Sequence, residues 1–283
     1  MNYVTLANGV KMPQLGLGIM NIQTQEDMDI CVKAALESGC RAFDCAYCYG
    51  NEKIFGNALK NSGEDRKNVF ITTKSRTLRH SYQDAIDTVY SQLEAFQTNY
   101  FDLYLLHWPL PSQPPLYLEA WKALEKLYKD GILRAIGVSN FFVKQLDKVI
   151  SQCEIKPMID QIQIQPYYVN QEVIDYCGQN GIQMESWQPF GGGQLLRDEK
   201  ICAIAEKHGK SPAQILLRWQ MQKGFVALPG SVRPAEVQNS FDIFNFELAP
   251  EDMETILSLE CGKPIMLPFL NGVYDPDTFP VLW

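Results

Sequence analysis

Eight apolar runs alternate with eight amphipathic runs along this 283-residue chain, and that order constrains the fold more than any other feature. The apolar runs have the length and composition of buried β-strands: LGLGI, RAFD, VFITTK, FDLYLLH, LRAIGVS, IDQIQI, IQMES and FVALP. The amphipathic runs predict helices over 25–38, 52–61, 81–98, 116–130, 142–152, 170–179, 211–222 and 234–244. Eight strand-then-helix units predict an α/β fold of the (β/α)8 TIM barrel type rather than an open doubly wound sheet.

The helix predicted over 81–98 shows the pattern clearly. Ser81 and Asp84 have the spacing of an N-terminal cap. The apolar residues that recur on one helical face are Ile86, Val89, Leu93 and Phe96. Period and cap together indicate an amphipathic helix.

The two ends of the chain fall outside this repeat. A short N-terminal β-hairpin, VTLANGVKM, turns on Asn8 and Gly9 and is placed to plug the floor of the barrel. The extended C-terminal tail, 268–283, is apolar, aromatic and interrupted by proline, with no helical period. It either folds over the barrel mouth and shapes specificity, or packs on the surface or against another subunit. No linker interrupts the repeat, so we expect residues 1–283 to form one domain.

Composition argues against several classes of protein. The chain is 46% hydrophobic and can bury a large core, and its net charge of −8 argues against a nucleic-acid surface. No stretch approaches the roughly 18 apolar residues of a membrane span, and the N-terminus lacks the pattern of a signal peptide. We expect a soluble, cytoplasmic protein with no nucleic-acid or membrane partner.

The eight cysteines are expected to be reduced thiols rather than a disulfide framework. Cys40, Cys45 and Cys48 match the C-x4-C-x2-C spacing of plant-type iron–sulfur ligands. Asp44 and Tyr49 interleave with them and the glycine-rich loop of such a site is absent, so we interpret these cysteines as small apolar packing residues. The three histidines form no visible ligand cluster, and no metal site is predicted.

Ionisable side chains mark the ends of three successive predicted strands. They are Asp44 and Tyr49 in RAFDCAYCY, Lys74 in VFITTKS and His107 in LLHWP. Catalytic residues of TIM barrels collect at the carboxyl ends of the strands, so these four are predicted to lie together at the barrel mouth. The alternative is a buried ion pair beside a satisfied core histidine, and four coincident strand ends argue against it.

Several short motifs, each weak alone, occur in one order along the chain. They are GLG at 16–18, Asp44-x4-Tyr49-Gly50-Asn51-Glu52, Thr73-Lys74, LLHWP at 105–109, GVSNF at 137–141, Asp160-Gln161 and Pro229-x-Ser231-Val232-Arg233-Pro234. By these motifs the whole chain resembles the aldo-keto reductase superfamily. The resemblance implies a barrel that binds a nicotinamide cofactor without a G-x-G-x-x-G fingerprint, and that reduces an aldehyde or ketone or oxidises an alcohol.

The residue types at the strand ends suit carbonyl reduction. A proton must reach the carbonyl oxygen as hydride reaches the carbon, and Tyr49 is the candidate acid. The Lys74 ammonium is expected to bring the pKa of Tyr49 down, and Asp44 to keep that lysine charged. His107 is interpreted as a neutral donor that orients the carbonyl.

The resemblance also implies which residues bind the cofactor. Ser139, Asn140 and Gln161 match residues that hold the carboxamide, and Trp187 matches an aromatic residue that stacks on the nicotinamide ring. Trp187 read alone could also be a core or interface tryptophan. The predicted cofactor residues are Gly18, Ile19, Met20, Asp44, Ser139, Asn140, Gln161, Trp187, Gln188, Phe190, Gly230, Ser231, Val232, Arg233, Glu236, Asn239 and Ser240.

The adenosine end departs from the pattern of NADP-preferring members of the superfamily. Gly230 stands where those members carry a lysine, and Glu236 where they carry an arginine. A carboxylate repels a 2′-phosphate but accepts a hydrogen bond from a free 2′-hydroxyl. We therefore predict NAD(H) as the cofactor, with NADP(H) as the alternative and Arg233 as the residue best able to bind a phosphate.

The predicted substrate residues are Met20, Tyr49, Arg76, His107 and Trp108. Met20 replaces a tryptophan common in the superfamily and would leave an adaptable wall. Arg76 replaces a common aromatic residue and either recognises an anionic group of the substrate or is solvated. We expect a small carbonyl or alcohol substrate and a monomer or small homo-oligomer. The alternative function is a non-catalytic nucleotide-binding barrel that acts as a sensor or partner subunit.

Overall fold

A parallel β-barrel surrounded by helices forms the body of the computed structural model, which describes residues 1–75, 81–109 and 116–264. The strands are β1 (Tyr3–Thr5), β2 (Lys11–Pro13), β3 (Leu17–Gly18), β4 (Ala42–Asp44), β5 (Phe70–Lys74), β6 (Leu103–Leu106), β7 (Ile136–Ser139), β8 (Ile159–Gln163), β9 (Gln183–Trp187) and β10 (Val226–Leu228). Strands β3 to β10 pair in chain order, each parallel to the next. A parallel bridge between Leu15 and Ala227 joins the two ends of this sheet and closes the barrel.

The helices confirm the predicted alternation. They are α1 (Gln25–Glu37), α2 (Glu52–Ser62), α3 (Tyr82–Phe96), α4 (Tyr117–Lys129), α5 (Val143–Ile150), α6 (Gln171–Asn180), α7 (Glu199–His208), α8 (Pro212–Gln222), α9 (Pro234–Phe241) and α10 (Pro250–Leu257). The predicted (β/α)8 barrel is therefore confirmed. Of the helices in the described ranges, none combines the length and the apolar character that a membrane crossing requires.

The details of α3 match its sequence pattern. The Ser81 hydroxyl accepts a hydrogen bond from the Asp84 backbone N–H at 3.1 Å, which is the predicted N-terminal cap. The predicted apolar face packs on the core through buried or half-buried side chains: Val89, Leu93, Phe96 and Ile86. An apolar stripe and a satisfied cap thus fix both the start and the orientation of the helix.

Helix α9 ends three residues before its predicted end, at Phe241 rather than 244. The side chain of the buried Gln214, on the neighbouring α8, donates to the backbone oxygens of Asn239 and Asp242 at 3.3 and 2.9 Å. The last carbonyl groups of a helix have no hydrogen-bond donor within the helix, and the Gln214 side chain is the donor for these two. Two further α-helices of the described residues, α7 and α10, lie outside the predicted set.

The N-terminal hairpin covers the end of the barrel where the strands begin. Strands β1 and β2 pair antiparallel, and Met12 is buried in the core. Directly after β2, the buried Gln14 donates through Nε2 to the backbone oxygens of Met221 and Phe225 at 2.9 and 3.2 Å. These contacts involve residues that come before β3 and β10 in the chain, at the amino-terminal end of the barrel. The hairpin therefore leaves the opposite, carboxyl-terminal end open. The C-terminal tail at 268–283 lies outside the described residues.

Candidate active site

A cavity of about 800 Å³ opens at the carboxyl ends of the barrel strands. Its volume falls in the range of roughly 300–1,000 Å³ that is typical of small-molecule sites. Most of the predicted site residues line it: Gly18, Met20, Asp44, Tyr49, His107, Trp108, Ser139, Asn140, Gln161, Trp187, Gln188, Phe190, Gly230, Ser231, Arg233, Glu236, Asn239 and Ser240. The residues singled out at separate strand ends therefore meet around one space.

A few predicted residues are not part of this wall. Lys74 is fully buried directly behind it, in contact with Asp44. The side chain of Ile19 is buried in the core, and Val232 is 44% exposed. Arg76 lies outside the described residues.

The wall also contains residues that the sequence analysis does not assign to the site. Gly192 and Gly193 belong to this group. The run of three glycines that follows Phe190 was the sequence signal for them, because glycine is typical where the backbone approaches a ligand closely. The other members are Asn21, Cys48, Pro189, Leu196, Ser211, Pro212, Ala213 and Leu228.

Asp44 and Lys74 form a buried ion pair at the inner end of the cavity. Lys74 Nζ donates to Asp44 Oδ1 at 2.6 Å and to the Cys45 backbone oxygen at 2.9 Å. The two residues end the neighbouring parallel strands β4 and β5. Asp44 is in register with Thr72, two residues before Lys74, so both side chains point to the same side of the sheet. Burial acts to lower the pKa of Lys74, but Asp44 and Tyr49 raise that pKa by more, so it lies above its ordinary value. The lysine is thus held as an ammonium although it is fully buried.

The amide of Gln161 joins this pair to a second buried carboxyl group. Its Nε2 donates to Asp44 Oδ2 at 2.8 Å and to Glu185 Oε2 at 2.9 Å. Since both amide hydrogens are engaged, the amide oxygen is the acceptor that Gln161 has for a ligand. Burial, with a further contribution from Asp44, raises the pKa of Glu185 to about 8. Glu185 is a functional candidate that the sequence does not reveal.

Tyr49 ends a short 3-10 helix, Tyr47–Tyr49, in the loop after β4. Gly50 follows with a left-handed φ of 67°, a conformation that glycine adopts without a steric penalty. The buried Asn51 then donates to the backbone oxygen of Ile19 at 2.8 Å and ties this loop to the loop after β3. Gly50 and the Asn51 hydrogen bond to the neighbouring loop therefore fix the conformation of the tyrosine loop.

The Tyr49 ring lies over the buried lysine, with Lys74 Nζ 5.4 Å from the ring centroid. Burial raises the pKa of Tyr49. The Lys74 ammonium lowers this pKa as expected, but by less than burial raises it, and Asp44 adds to the increase. The net pKa of Tyr49 therefore lies above its ordinary value, contrary to the expectation of a lowered pKa, because desolvation of the phenolate outweighs the nearby ammonium. Tyr49 keeps its proton at neutral pH and can act as a proton donor.

His107 directly follows β6 and faces Tyr49 across the cavity wall. The two ring centroids are 6.2 Å apart and the ring planes are nearly perpendicular, at 83°. The His107 backbone N–H donates to Ser75 Oγ at 3.2 Å, and its carbonyl oxygen accepts from Asn140 Nδ2 at 3.0 Å. The ring of Trp108 continues the wall, with its centroid 6.2 Å from that of His107. A phenol and an imidazole are thus held side by side at one place in the cavity.

Ser139, Asn140 and Trp187 form a connected polar group at the ends of β7 and β9. Asn140 has a left-handed φ of 62°, which turns its side chain back toward its neighbours. Its Nδ2 donates to Ser139 Oγ at 3.0 Å, and its Oδ1 accepts from Trp187 Nε1 at 2.9 Å. Ser139 Oγ in turn donates to the Gln161 backbone oxygen at 2.8 Å. These bonds fix the half-buried Trp187 indole at the cavity wall.

The far end of the cavity carries an exposed ion pair. Glu236, in the first turn of α9, pairs with Arg233 at 2.8 Å and accepts a hydrogen bond from Ser231 Oγ at 2.7 Å. Gly230 packs closely on the barrel, and a Cβ at this position would lie 3.0 Å from the Gly18 backbone oxygen. Any larger residue at 230 therefore requires a shift of one of these two backbones.

The cysteines are all free thiols. Cys40 and Cys45 are buried in the core, whereas Cys48 is half-buried and lines the cavity. Within the described ranges, no group of three or more His, Cys, Asp or Glu side chains is arranged to hold a metal ion.

Comparison with known proteins places this chain in a family. The sequence model of the Aldo/keto reductase family matches residues 14–260. The glyoxal reductase of Bacillus subtilis (strain 168) is 44% identical over 256 residues, which cover 90% of this chain and 92% of that protein.

Solved structures agree in fold. The aldo-keto reductase MGS-M4 from a Medee basin deep-sea metagenome library superposes with a TM-score of 0.90 at 37% identity, over 96% of this chain and all of that one. The Bombyx mori aldo-keto reductase in complex with NADP gives a TM-score of 0.86 at 27% identity, over 94% and 95%. The chain belongs to the aldo-keto reductase family, whose members are nicotinamide-dependent oxidoreductases that act on carbonyl compounds.

Proposed function

We propose that this protein reduces a small aldehyde or ketone to the alcohol, or catalyses the reverse reaction, with Tyr49 as the general acid. The observation that supports this most directly is the arrangement of Tyr49 and His107 at the cavity wall in front of the buried Lys74–Asp44 pair. A barrel that only bound nucleotide would need no proton donor next to a buried ammonium.

The cavity residues suit a nicotinamide cofactor. Ser139, Asn140 and Gln161 present hydroxyl and amide groups that match a carboxamide, and the indole of Trp187 offers a flat face for stacking. The side-chain oxygen of Gln188, which also lines the cavity, is buried without a hydrogen-bond partner. When bound, the reduced cofactor would supply a hydride to the carbonyl carbon.

Tyr49 would deliver the proton of the reduction. As the carbonyl carbon receives the hydride electron pair, the π electrons of the C=O bond move to oxygen, and that oxygen takes the proton of the Tyr49 hydroxyl. The ammonium of Lys74 stabilises the phenolate until solvent returns a proton. His107 would donate a hydrogen bond to the carbonyl oxygen and so hold it beside the tyrosine.

We propose NAD(H) as the preferred cofactor. Arg233 is the only cation in the cavity wall as far as the described residues extend, and Glu236 already neutralises it at 2.8 Å. The pair therefore offers a 2′-phosphate no net positive charge, whereas the Glu236 carboxylate can accept a hydrogen bond from a free 2′-hydroxyl. The absence of a side chain at Gly230 removes the second cation seen at this position in NADP-preferring members.

The substrate we propose is a small aldehyde such as an α-oxoaldehyde. Met20, 39% exposed at the cavity, and Trp108 supply an apolar surface around Tyr49 and His107. The relative from Bacillus subtilis is a glyoxal reductase, which fits a site of this kind.

The experiment that tests the proposed function is a turnover assay. The purified protein is mixed with NADH or NADPH and a panel that includes glyoxal, methylglyoxal, simple aldehydes and ketones, and loss of the reduced cofactor is followed by absorbance. We expect consumption of NADH with aldehydes. Nucleotide binding, seen as quenching of Trp187 fluorescence with a Trp187→Phe control, without turnover of any carbonyl would contradict the proposal and favour a sensor.

A further inference from the structure

Cys48 contacts the imidazole of His107. The Cys48 Sγ lies 3.7 Å from His107 Nδ1, within the distance of a hydrogen bond to sulfur. Both residues line the cavity, and Cys48 directly precedes Tyr49 in the chain. The sequence alone suggested only a small packing residue at this position.

The direction of this hydrogen bond decides the chemistry of the histidine. A neutral imidazole has one N–H donor and one acceptor nitrogen, and the group that contacts one nitrogen selects which of them carries the proton. If the thiol donates to Nδ1, the proton of the ring is on Nε2. If Nδ1–H donates to sulfur, Nε2 is an acceptor and cannot donate to a carbonyl oxygen.

The surroundings of Cys48 keep a proton on its thiol, which is therefore able to donate. Burial raises the pKa of the Cys48 thiol to about 11, although the Lys74 ammonium opposes this. The sulfur therefore keeps its proton at neutral pH, and a protonated thiol is a weak donor. A thiolate, by contrast, would accept a hydrogen bond from Nδ1–H and reverse the assignment.

We propose that Cys48 is a positioning residue that donates its S–H to His107 Nδ1 and so fixes His107 as the Nε2–H tautomer. The backbone bonds of His107 to Ser75 and Asn140 hold the main chain but leave the tautomer undetermined. The consequence for catalysis, a fixed donor toward the substrate oxygen, rests on the proposed function, whereas the tautomer itself does not.

The direct test is nitrogen NMR of protein labelled with 15N-histidine. The chain contains only His80, His107 and His208, so the spectrum is simple, and His80→Gln and His208→Gln variants assign it. His208 is an internal reference, because its Nε2 bonds to Asp252 Oδ2 at 2.8 Å, a carboxylate far along the chain from Cys48.

We expect the wild-type spectrum to show His107 protonated on Nε2 with a hydrogen-bonded Nδ1. Cys48→Ser, which keeps a donor, should preserve this pattern, and Cys48→Ala should shift the Nδ1 resonance toward the unbonded position while His208 stays unchanged. A wild-type His107 protonated on Nδ1 would overturn the proposal. An unchanged spectrum in Cys48→Ala, or a Cys48→Ser spectrum equal to that of Cys48→Ala, would overturn it as well.

A kinetic readout follows if the enzyme reduces carbonyls. Loss of a weak hydrogen bond in Cys48→Ala is expected to lower kcat by roughly 2- to 10-fold, with the Kd for NADH unchanged and most of the loss restored in Cys48→Ser. A Cys48→Ala enzyme with the wild-type kcat would contradict the role in orienting the substrate. The NMR result stands independently, so a failure of the proposed function is distinguishable from a failure of this inference.

Discussion

Lys74 Nζ and Asp44 Oδ1 are 2.6 Å apart at the inner end of the candidate active-site cavity, and both side chains are buried. Removing one charge of a buried pair leaves the other without compensation, which typically costs about 3–5 kcal/mol. Lys74→Met is therefore expected to lower the free energy of unfolding by about that amount, measured by urea denaturation, and to reduce kcat strongly. Asp44→Asn/Lys74→Met should recover much of the stability but not the activity. A double variant with near wild-type kcat would contradict the role of Lys74 behind Tyr49.

The raised pKa of Tyr49 predicts the pH profile of reduction. Because burial keeps the phenol protonated beyond its ordinary range, kcat/KM for carbonyl reduction should not fall between pH 7 and 9 through titration of this residue, and should fall only at higher pH. The measurement is kcat/KM with saturating NADH across this range. Glu185→Gln is the control, since Glu185 titrates near pH 8. A decline between pH 7 and 9 that persists in Glu185→Gln would show that Tyr49 has the lowered pKa instead.

The buried Glu185 predicts a loss of stability at alkaline pH. Its pKa is raised from 4.5 to about 8 by burial and then by Asp44, so the folded protein holds a proton that the unfolded chain releases above pH 4.5. The stabilisation is fully present below pH 4.5 and is lost as the pH rises to about 8. The buried Asp160, whose pKa burial also raises, acts in the same direction.

The measurement is urea unfolding at pH 6 and pH 9 for wild type and Glu185→Gln. The wild type should lose about 2–3 kcal/mol more than the variant between these two values. Glutamine can still accept the hydrogen bond from Gln161, which keeps the comparison matched. An equal loss in both proteins would mean that Glu185 is already ionised in the folded state.

The Arg233–Glu236 pair predicts cofactor preference. Wild type should show a higher kcat/KM with NADH than with NADPH, and Glu236→Arg should shift the ratio toward NADPH by about 10- to 100-fold, because a cation replaces an anion beside the 2′-position. Glu254→Arg, an exposed site on α10 away from the cavity wall, makes the same change in net charge and is the matched control. A tenfold wild-type preference for NADPH would refute the assignment.

The barrel was predictable because each strand–helix unit must bury an apolar face, and that need is visible in the order of the residues. Helix α7 has local signals of its own: the Asp198 side chain caps the N–H of Ile201, and Gly209 ends the helix in a left-handed conformation. It lies between β9 and α8, however, and a pattern of one helix after each strand predicts a single helix there, which is α8.

The geometry of the candidate site was predictable to a similar extent. Asp44 and Lys74 could be placed at the barrel mouth because parallel strands share one carboxyl-terminal end. The burial of Glu185 depends on how β8 and β9 pack, and IQMES shows only a strand. The direction of the Tyr49 pKa likewise depends on desolvation, which no spacing of residues reports.

The most direct measurement of the central claim, that Tyr49 gives its proton to the substrate oxygen, is the turnover of Tyr49→Phe. The variant keeps the ring over Lys74 and removes only the hydroxyl. We expect kcat for aldehyde reduction to fall by about 10²- to 10⁴-fold while the Kd for NADH, followed by Trp187 fluorescence, stays unchanged. A kcat within tenfold of wild type would show that another group supplies the proton.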